Sequence, residues 1–331
     1  MAKSDPGSLI QETGPSSLGQ KYPGGSAAGG SAPFSGPRAM TEQQRGLLLT
    51  TLGVLAVTPD SLILRLVSFD TPTAIAIRAA VACTVMTLGL AAFHGRALPS
   101  VFKALGRAGL IYAVLFAITT FAFLSAVRMT SVANALFIVS TSPIFAALAS
   151  WVFLGERFSR LMVITTGFAL VGIGIIAVGT GEHENASLAG DAVALCAAFA
   201  LALSFVQARA HKHVSMIPAA ALAYVITLAI LAPFVSLKGA TNTDWSLMLL
   251  LAAVFIPFGS SMLAIGPRYI TAPEVSLLLL LEAILAPLLV WWLVGENPGP
   301  YALVGGAIVI ATLFVSNLVV LRRAKPVRAA E

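Results

Sequence analysis

Charge is scarce in this chain: 10% of its 331 residues are Asp, Glu, Lys or Arg, where a soluble domain carries roughly 25%. So few charges cannot clothe a globule in water. A composition 58% hydrophobic, with a mean hydropathy of +0.91, can clothe one that faces lipid. Cysteine is nearly absent. Cys83 and Cys196 sit far apart in separate apolar runs, which excludes a disulfide framework or a thiolate metal site and leaves small packing residues. The four histidines, His94, His183, His211 and His213, fall in loops or at a helix end without a His-x-x-x-His spacing, so no metal is expected. The chain also lacks Gly-x-x-x-x-Gly-Lys-Ser/Thr, His-Glu-x-x-His and Gly-x-Ser-x-Gly. Those absences argue against ATP as a direct energy source, against a cofactor and against catalytic residues of a membrane-embedded enzyme. The formal charge of +6 does not signal nucleic acid, because the basic residues lie in short clusters between apolar runs.

What the chain has instead is long apolar runs. A helix needs about 20 such residues to cross the hydrocarbon. Ten runs qualify: 46–66, 73–93, 107–127, 131–154, 160–179, 188–208, 217–236, 246–266, 272–294 and 300–321. Turn and charge signals separate them, among them Asp70-Thr71-Pro72, His94-Gly95-Arg96, Gly155-Glu156-Arg157 and Gly295-Glu296-Asn297-Pro298. Ahead of them, residues 1–45 read as a disordered cytoplasmic tail, rich in Gly, Ser, Pro and Ala up to residue 40. Met40, just before the first run, is a second candidate start. Residues 322–331 form a basic cytoplasmic tail.

Ten spans put both termini on one side. With that side cytoplasmic, Arg45, Arg96, Lys103, Arg107, Arg157, Arg160, Arg209, Lys212, Arg268 and Arg322 all fall in cytoplasmic segments, whereas Arg65, Arg128 and Lys238 fall opposite. The positive-inside rule therefore predicts cytoplasmic termini.

The chain also repeats itself. Trp151-Val152-Phe153-Leu154-Gly155-Glu156 returns as Trp291-Trp292-Leu293-Val294-Gly295-Glu296, an offset of 140 residues that also carries Arg128 onto Arg268 and Ser131 onto Thr271. Each copy holds five runs, an odd number, so the second must lie inverted in the membrane. The expected fold is all-α integral membrane, with ten transmembrane helices as two inverted five-helix repeats over 46–180 and 188–321. Inverted repeats mark secondary transporters, which alternate access around a midplane site.

The stretch Phe121-Ala122-Phe123-Leu124-Ser125-Ala126-Val127-Arg128-Met129-Thr130-Ser131-Val132-Ala133, on through Pro143 to Phe153-Leu154-Gly155-Glu156-Arg157, resembles an EamA domain. Its copy, from Ala264-Ile265-Gly266-Pro267-Arg268 through Ser276-Leu277-Leu278-Leu279-Leu280-Leu281-Glu282 to Gly295-Glu296, resembles the second domain of that pair. The resemblance is to the drug/metabolite transporter superfamily. It implies an exporter of small organic metabolites in a bacterial inner membrane. One feature departs from the family pattern: Glu282 is followed by Ala283 and the proline stands at Pro287, so any helix break there lies about one turn later.

An ionised side chain at the bilayer centre costs at least ~2.5–3.5 kcal/mol, so charge inside a span points to function. Asp60 in the first run and Arg78 in the second lie at similar depth from the same end. They read either as a permanent salt bridge or as groups that meet a zwitterionic substrate. Glu282 sits mid-span with no basic residue in its own run. It either faces the pathway, able to carry a proton, or is a neutral carboxyl bonded to another helix. Polar candidates of lesser weight are Asn134, Ser142, Ser204, Gln207 and Tyr224; Ser142 is the repeat equivalent of Glu282. Hydroxyls in spans also serve as helix–helix glue. Glu274 reads as a helix cap, Glu156 and Glu296 as loop or cap residues, and Arg128 and Arg268 as interfacial anchors. Trp151, Trp291 and Trp292 read as interfacial belt. Gly167, Gly172, Gly174, Gly305 and Gly306 read as scaffold or as the surface of a homodimer. The expected function is a secondary transporter, partnered by the bilayer, a small-molecule substrate of amino-acid-like or amphipathic character, and protons. A membrane-embedded enzyme and a non-transporting receptor or scaffold are the alternatives.

Overall fold

The computed structural model describes residues 40–129, 135, 138–157, 159–179, 188–236, 241–294 and 299–323, which are all helix, turn or loop. Helix α1 (Glu42–Val57) starts ahead of the expected Gly46 because Thr41 and Gln44 form a capping box, each side chain accepting from the other's backbone N–H. Pro59 has no N–H to give and parts α1 from α2 (Pro59–Leu66) at Thr58. Thr58 ties itself back, its hydroxyl donating to the Val54 carbonyl at 2.8 Å. The first expected span is therefore a broken helix.

Helix α3 (Thr71–His94) is capped by Asp70, which accepts from the Thr73 N–H at 3.3 Å. Helix α4 (Leu98–Met129) begins well before the expected residue 107, but Gly106 interrupts it at φ 52° and ψ −151°. Only glycine adopts that conformation cheaply, so the expected span starts just past a real break. Helix α5 (Ser142–Leu154) ends at Gly155, which turns left-handed at φ 66°. Then come α6 (Arg160–Gly179), α7 (Leu188–Ala210) and α8 (Ile217–Leu231).

The eighth expected run is divided. Helix α9 (Asn242–Leu250) passes through a π turn, Leu251–Phe255, into α10 (Ile256–Ile265). Pro257 cannot donate to the ladder and crowds the preceding turn; the N–H of Ile256 reaches five residues back, to Leu251. Helices α11 (Ala272–Val294) and α12 (Gly299–Arg323) complete the described chain.

Among the described residues, four helical stretches are long and apolar enough to cross a bilayer: Thr71–Phe123, which contains α3 and most of α4, then Leu188–Ala210, Ile217–Phe234 and Asn242–Arg268. Large apolar side chains stand outward across the surface, Phe93, Phe153, Phe168, Trp292 and Phe314 among them. A helix hydrophobic on every side suits lipid on one face and protein on the other.

The inward faces are built from small residues. Helix α7 buries Ala194, Ala197, Ala198, Ala200, Ala202 and Ala208, and α8 buries Ala219, Ala220, Ala221 and Ala223. Apolar lipid gives no hydrophobic drive to helix association, so close backbone approach must supply it. Helix α4 packs along α7 and α8, α8 also along α3, α1 along α10 and α11, α5 along α7 and α11, and α6 along α12. At the α1–α10 crossing, a Cβ on Gly53 would sit 3.1 Å from the Gly259 carbonyl oxygen, and one on Gly259 only 2.9 Å from that of Gly53. Gly172 likewise faces the Gly305 carbonyl and so belongs to the α6–α12 contact, whereas Gly167 points into open space.

Candidate functional site

Helices α2, α3, α8, α10 and α11 converge on a cluster of polar side chains inside this apolar body. The four-residue connection Val67–Asp70 makes α2 and α3 antiparallel neighbours, which sets Asp60 in the first turn of α2 level with Arg78 on α3. The Arg78 Nη1 donates to the Asp60 Oδ2 in an ion pair, with side chains only 13% and 15% exposed.

From α8, Tyr224 reaches the same region, buried, with its phenol close enough to Ser260 of α10 to interact with it. Ser260 in turn donates to the Ile256 carbonyl at 2.5 Å and touches Met86 Sδ at 3.7 Å. The π turn ahead of α10 sets the rotation of that helix and hence the direction of Ser260; such turns recur at functional sites. Helix α11 brings Glu282 into electrostatic contact with both Asp60 and Arg78, and Arg78 interacts with Tyr224 as well. Glu282 makes no hydrogen bond or ion pair with another described residue.

Two buried atoms of the region have no hydrogen-bond partner among the described residues: Asp60 Oδ1 and the Tyr112 hydroxyl of α4. A buried polar group left so costs about 1–3 kcal/mol. Tyr112 is wholly buried and stacks on Phe116, centroids 5.9 Å apart, and Phe116 meets Tyr224 edge-on at 6.3 Å.

The structure thus brings together Asp60, Arg78, Tyr224 and Glu282 of the residues singled out in the sequence. Ser204 is elsewhere engaged, its hydroxyl donating to the Leu201 carbonyl of its own helix at 2.7 Å. Gln207 bridges helices, its amide donating to the Ala108 carbonyl of α4 at 3.2 Å just past the Gly106 break. Ser142 is buried in the first turn of α5, and Asn134 lies outside the described residues. Sequence reasoning missed Ser260 and Tyr112. The signal that found Tyr224, a phenol deep in an apolar run, also marks Tyr112, and Pro257 marks the turn that carries Ser260.

Each end of the bundle is tied across. At one end the Asp244 carboxylate, nearly buried, accepts from Ser68 N–H at 3.0 Å, from Thr241 N–H at 3.0 Å and from the Thr241 hydroxyl at 2.9 Å. Phe69 meets Trp245 edge-on beside it, and Thr73 accepts from the Ser236 N–H at 2.8 Å. At the opposite end of α8, Arg209 pairs with Glu156 at 2.9 Å and points at the Pro267 and Arg268 carbonyls. Arg268 is a loop tie there, its Nε donating to the Lys212 carbonyl at 2.7 Å, rather than the simple interfacial anchor expected. Glu274 caps α11 as expected, accepting from the N–H and the hydroxyl of Thr271 at 2.8 and 2.9 Å. A cavity of about 30 Å³ lies beside Glu274, Met162 and Ser316; it has room for a water or two, away from the charge cluster.

A family model described as the EamA-like transporter family matches residues 44–178 and again residues 188–318. An "Uncharacterized transporter YdfC" of Bacillus subtilis (strain 168) is 29% identical over 191 residues, which are 55% of this chain and 61% of that protein. A solved crystal structure of a protein superposes with a TM-score of 0.71 at 17% identity, over 83% of this chain and 98% of the other. That likeness is one of fold.

Proposed function

The chain belongs to the EamA-like transporter family, a multi-pass membrane protein, and we propose that it is a secondary transporter whose solute pathway passes through Asp60, Arg78, Tyr224, Ser260 and Glu282. One observation carries the reading. The Asp60–Arg78 ion pair, with Glu282 of a third helix within electrostatic reach of both, lies inside a lipid-facing body, where ionisable groups are costly unless they have a task.

In this reading the chain has ten spans in two inverted five-helix repeats, over 46–180 and 188–321. The helix pairing supports it. Third-with-first contact occurs as α4 on α7 and again as α10 on α1; second meets second (α3, α8), fourth meets fourth (α5, α11) and fifth meets fifth (α6, α12). Those are the pairings a two-fold axis in the membrane plane generates, and alternating access would exchange the two copies' conformations around the cluster. The basic residues Arg96, Arg157, Arg209, Lys212 and Arg268 crowd the Arg209 end, which supports reading that end as cytoplasmic, with both termini on the cytoplasmic side of a bacterial inner membrane. The tie at Asp244 is then external.

The cargo in this reading is a small amino-acid-like or amphipathic solute, exported. Asp60 and Arg78 can trade their mutual bond for an ammonium and a carboxylate on the solute, and the unpartnered Asp60 Oδ1 suits the same exchange. Glu282, lacking an ion-pair partner, is the group that would carry a proton. The test is efflux from proteoliposomes loaded with a bacterial metabolite extract and read by mass spectrometry, with and without an imposed proton gradient. Wild type should release a few solutes selectively, and Glu282→Ala and Asp60→Asn should slow that release at least about tenfold, 1.4 kcal/mol of barrier. Release that matches empty liposomes under both conditions sinks the proposal.

A further inference from the structure

The charge cluster does not span the bundle. Arg78 lies seven residues into α3 from the Asp244 end, about 10 Å at 1.5 Å per residue. Asp60 stands six residues before the end of α2, near that same end. A solute that crosses must also traverse the half toward Arg209. Tyr224 enters that half, seven residues along α8 from its Arg209-side start at Ile217. Tyr112 stands at comparable depth on α4, six residues past Gly106.

We propose that Tyr112 continues the solute pathway from the charge cluster toward the Arg209 end, its hydroxyl hydrogen-bonding the polar head of the passing solute. The inference rests on the transport reading above. Tyr224 already has Ser260 as a partner, but the Tyr112 hydroxyl is buried without one. A phenylalanine would fill the same space against Phe116 and leave nothing unsatisfied, so packing alone does not explain the oxygen. Phe116 touches both tyrosine rings and holds them as one wall, and the two phenols interact electrostatically. A phenol both donates and accepts. It can therefore follow a zwitterionic head that exposes an ammonium on one side and a carboxylate on the other.

The experiment needs no known substrate. In full-length protein carrying Cys83→Ala and Cys196→Ala, single cysteines replace Tyr112, Asp60 or, as a control, Ala169, which is equally buried but sits on α6 in the cluster it forms with α11 and α12. Membrane vesicles of either orientation are exposed to an impermeant sulfonated methanethiosulfonate. Tyr112→Cys should label about tenfold faster than Ala169→Cys, chiefly from the Arg209 side, since only a wetted thiol reacts. Labelling of Asp60→Cys but not of Tyr112→Cys overturns the inference and leaves the transport reading standing. Labelling of neither overturns both. Tyr112→Phe guards against a misfolded cysteine variant: its Tm should hold or rise, and a fall of more than about 3 °C would show that the hydroxyl holds the fold together instead.

Discussion

Residues 44–178 and 188–318 match the same family description, yet they bring different chemistry to the cluster. The first copy supplies Asp60 and Arg78, opposite charges already joined. The second supplies Tyr224 and Ser260, which interact with each other, and Glu282, which has no ion-pair partner among the described residues. At the 140-residue offset Glu282 corresponds to Ser142, Ser260 to Thr120 and Tyr112 to Ala252. A duplicated scaffold has therefore kept its helix pairing while its interior has diverged. In the proposed transport reading, a symmetric frame would let two halves exchange shapes, and the unequal lining would give the solute one orientation and one set of partners.

The comparison can be broken most severely in the first copy. Asp60→Asn alone, or Arg78→Met alone, leaves one charge uncompensated and should destabilise by about 3–5 kcal/mol. The double variant should recover much of that loss, because no lone charge remains. Thermal unfolding in one detergent would decide it. Singles that cost no more than the double would mean the pair contributes nothing to folding.

The Asp244 tie marks a second inequality. Asp244 starts α9 with three hydrogen bonds, and at the same offset the first copy has Ala104, exposed near the start of α4. Asp244→Ala should lower Tm, because the Ser68 and Thr241 N–H groups lose their charged acceptor. Ala104→Asp should change Tm little, having no Ser68 to hold. Equal shifts from both substitutions would show that the tie is general surface charge and not a specific bond.

Swapping the unequal pair tests the cluster itself. Glu282→Ser should slow proteoliposome efflux at least about tenfold without loss of thermal stability, since it removes a charge that no described residue pairs. Ser142→Glu added to it should restore nothing, because α5 presents that position buried in its own first turn. Restored flux in the double variant would mean that the two copies are interchangeable at this position.

How far the sequence reveals this arrangement depends on what each signal measures. Apolar length bounded by Gly-Glu or Arg marks α6 and α11 to the residue, because a lipid-facing helix must end where polarity begins. Asp60 and Arg78 are legible as partners because charge in such a run must be compensated and depth can be counted from the nearest loop. The bonding of Ser204 and Gln207 is not legible for a physical reason: a helix apolar on every side carries no amphipathic stripe to say which way it turns. The alanine faces of α7 set that rotation, and only tertiary packing shows that Ser204 bonds its own backbone while Gln207 bridges to Ala108. The breaks inside spans are half-legible. Pro59 and Pro257 announce them, but the π turn at Leu251–Phe255 and the direction of Ser260 follow from the packed ladder.

The finest test of the comparison uses two hydroxyls at equivalent positions. Thr120 on α4 donates to the Phe116 carbonyl at 3.1 Å, and Ser260 on α10 donates to the Ile256 carbonyl at 2.5 Å, the same bond four residues back in each copy. Ser260 alone has a second task, as the partner of Tyr224. Removing Thr120 loses a bond within one helix, whose carbonyl keeps its ladder donor, so Thr120→Ala should stay within about 0.5 kcal/mol of wild type. Ser260→Ala strands a buried phenol and should cost about 1–3 kcal/mol. Adding Tyr224→Phe to Ser260→Ala should return most of that, because no orphaned hydroxyl is then left. Non-additivity in this cycle locates the Ser260 effect in its interaction with Tyr224, and strict additivity would place it in the α10 backbone, where Thr120 and Ser260 are alike.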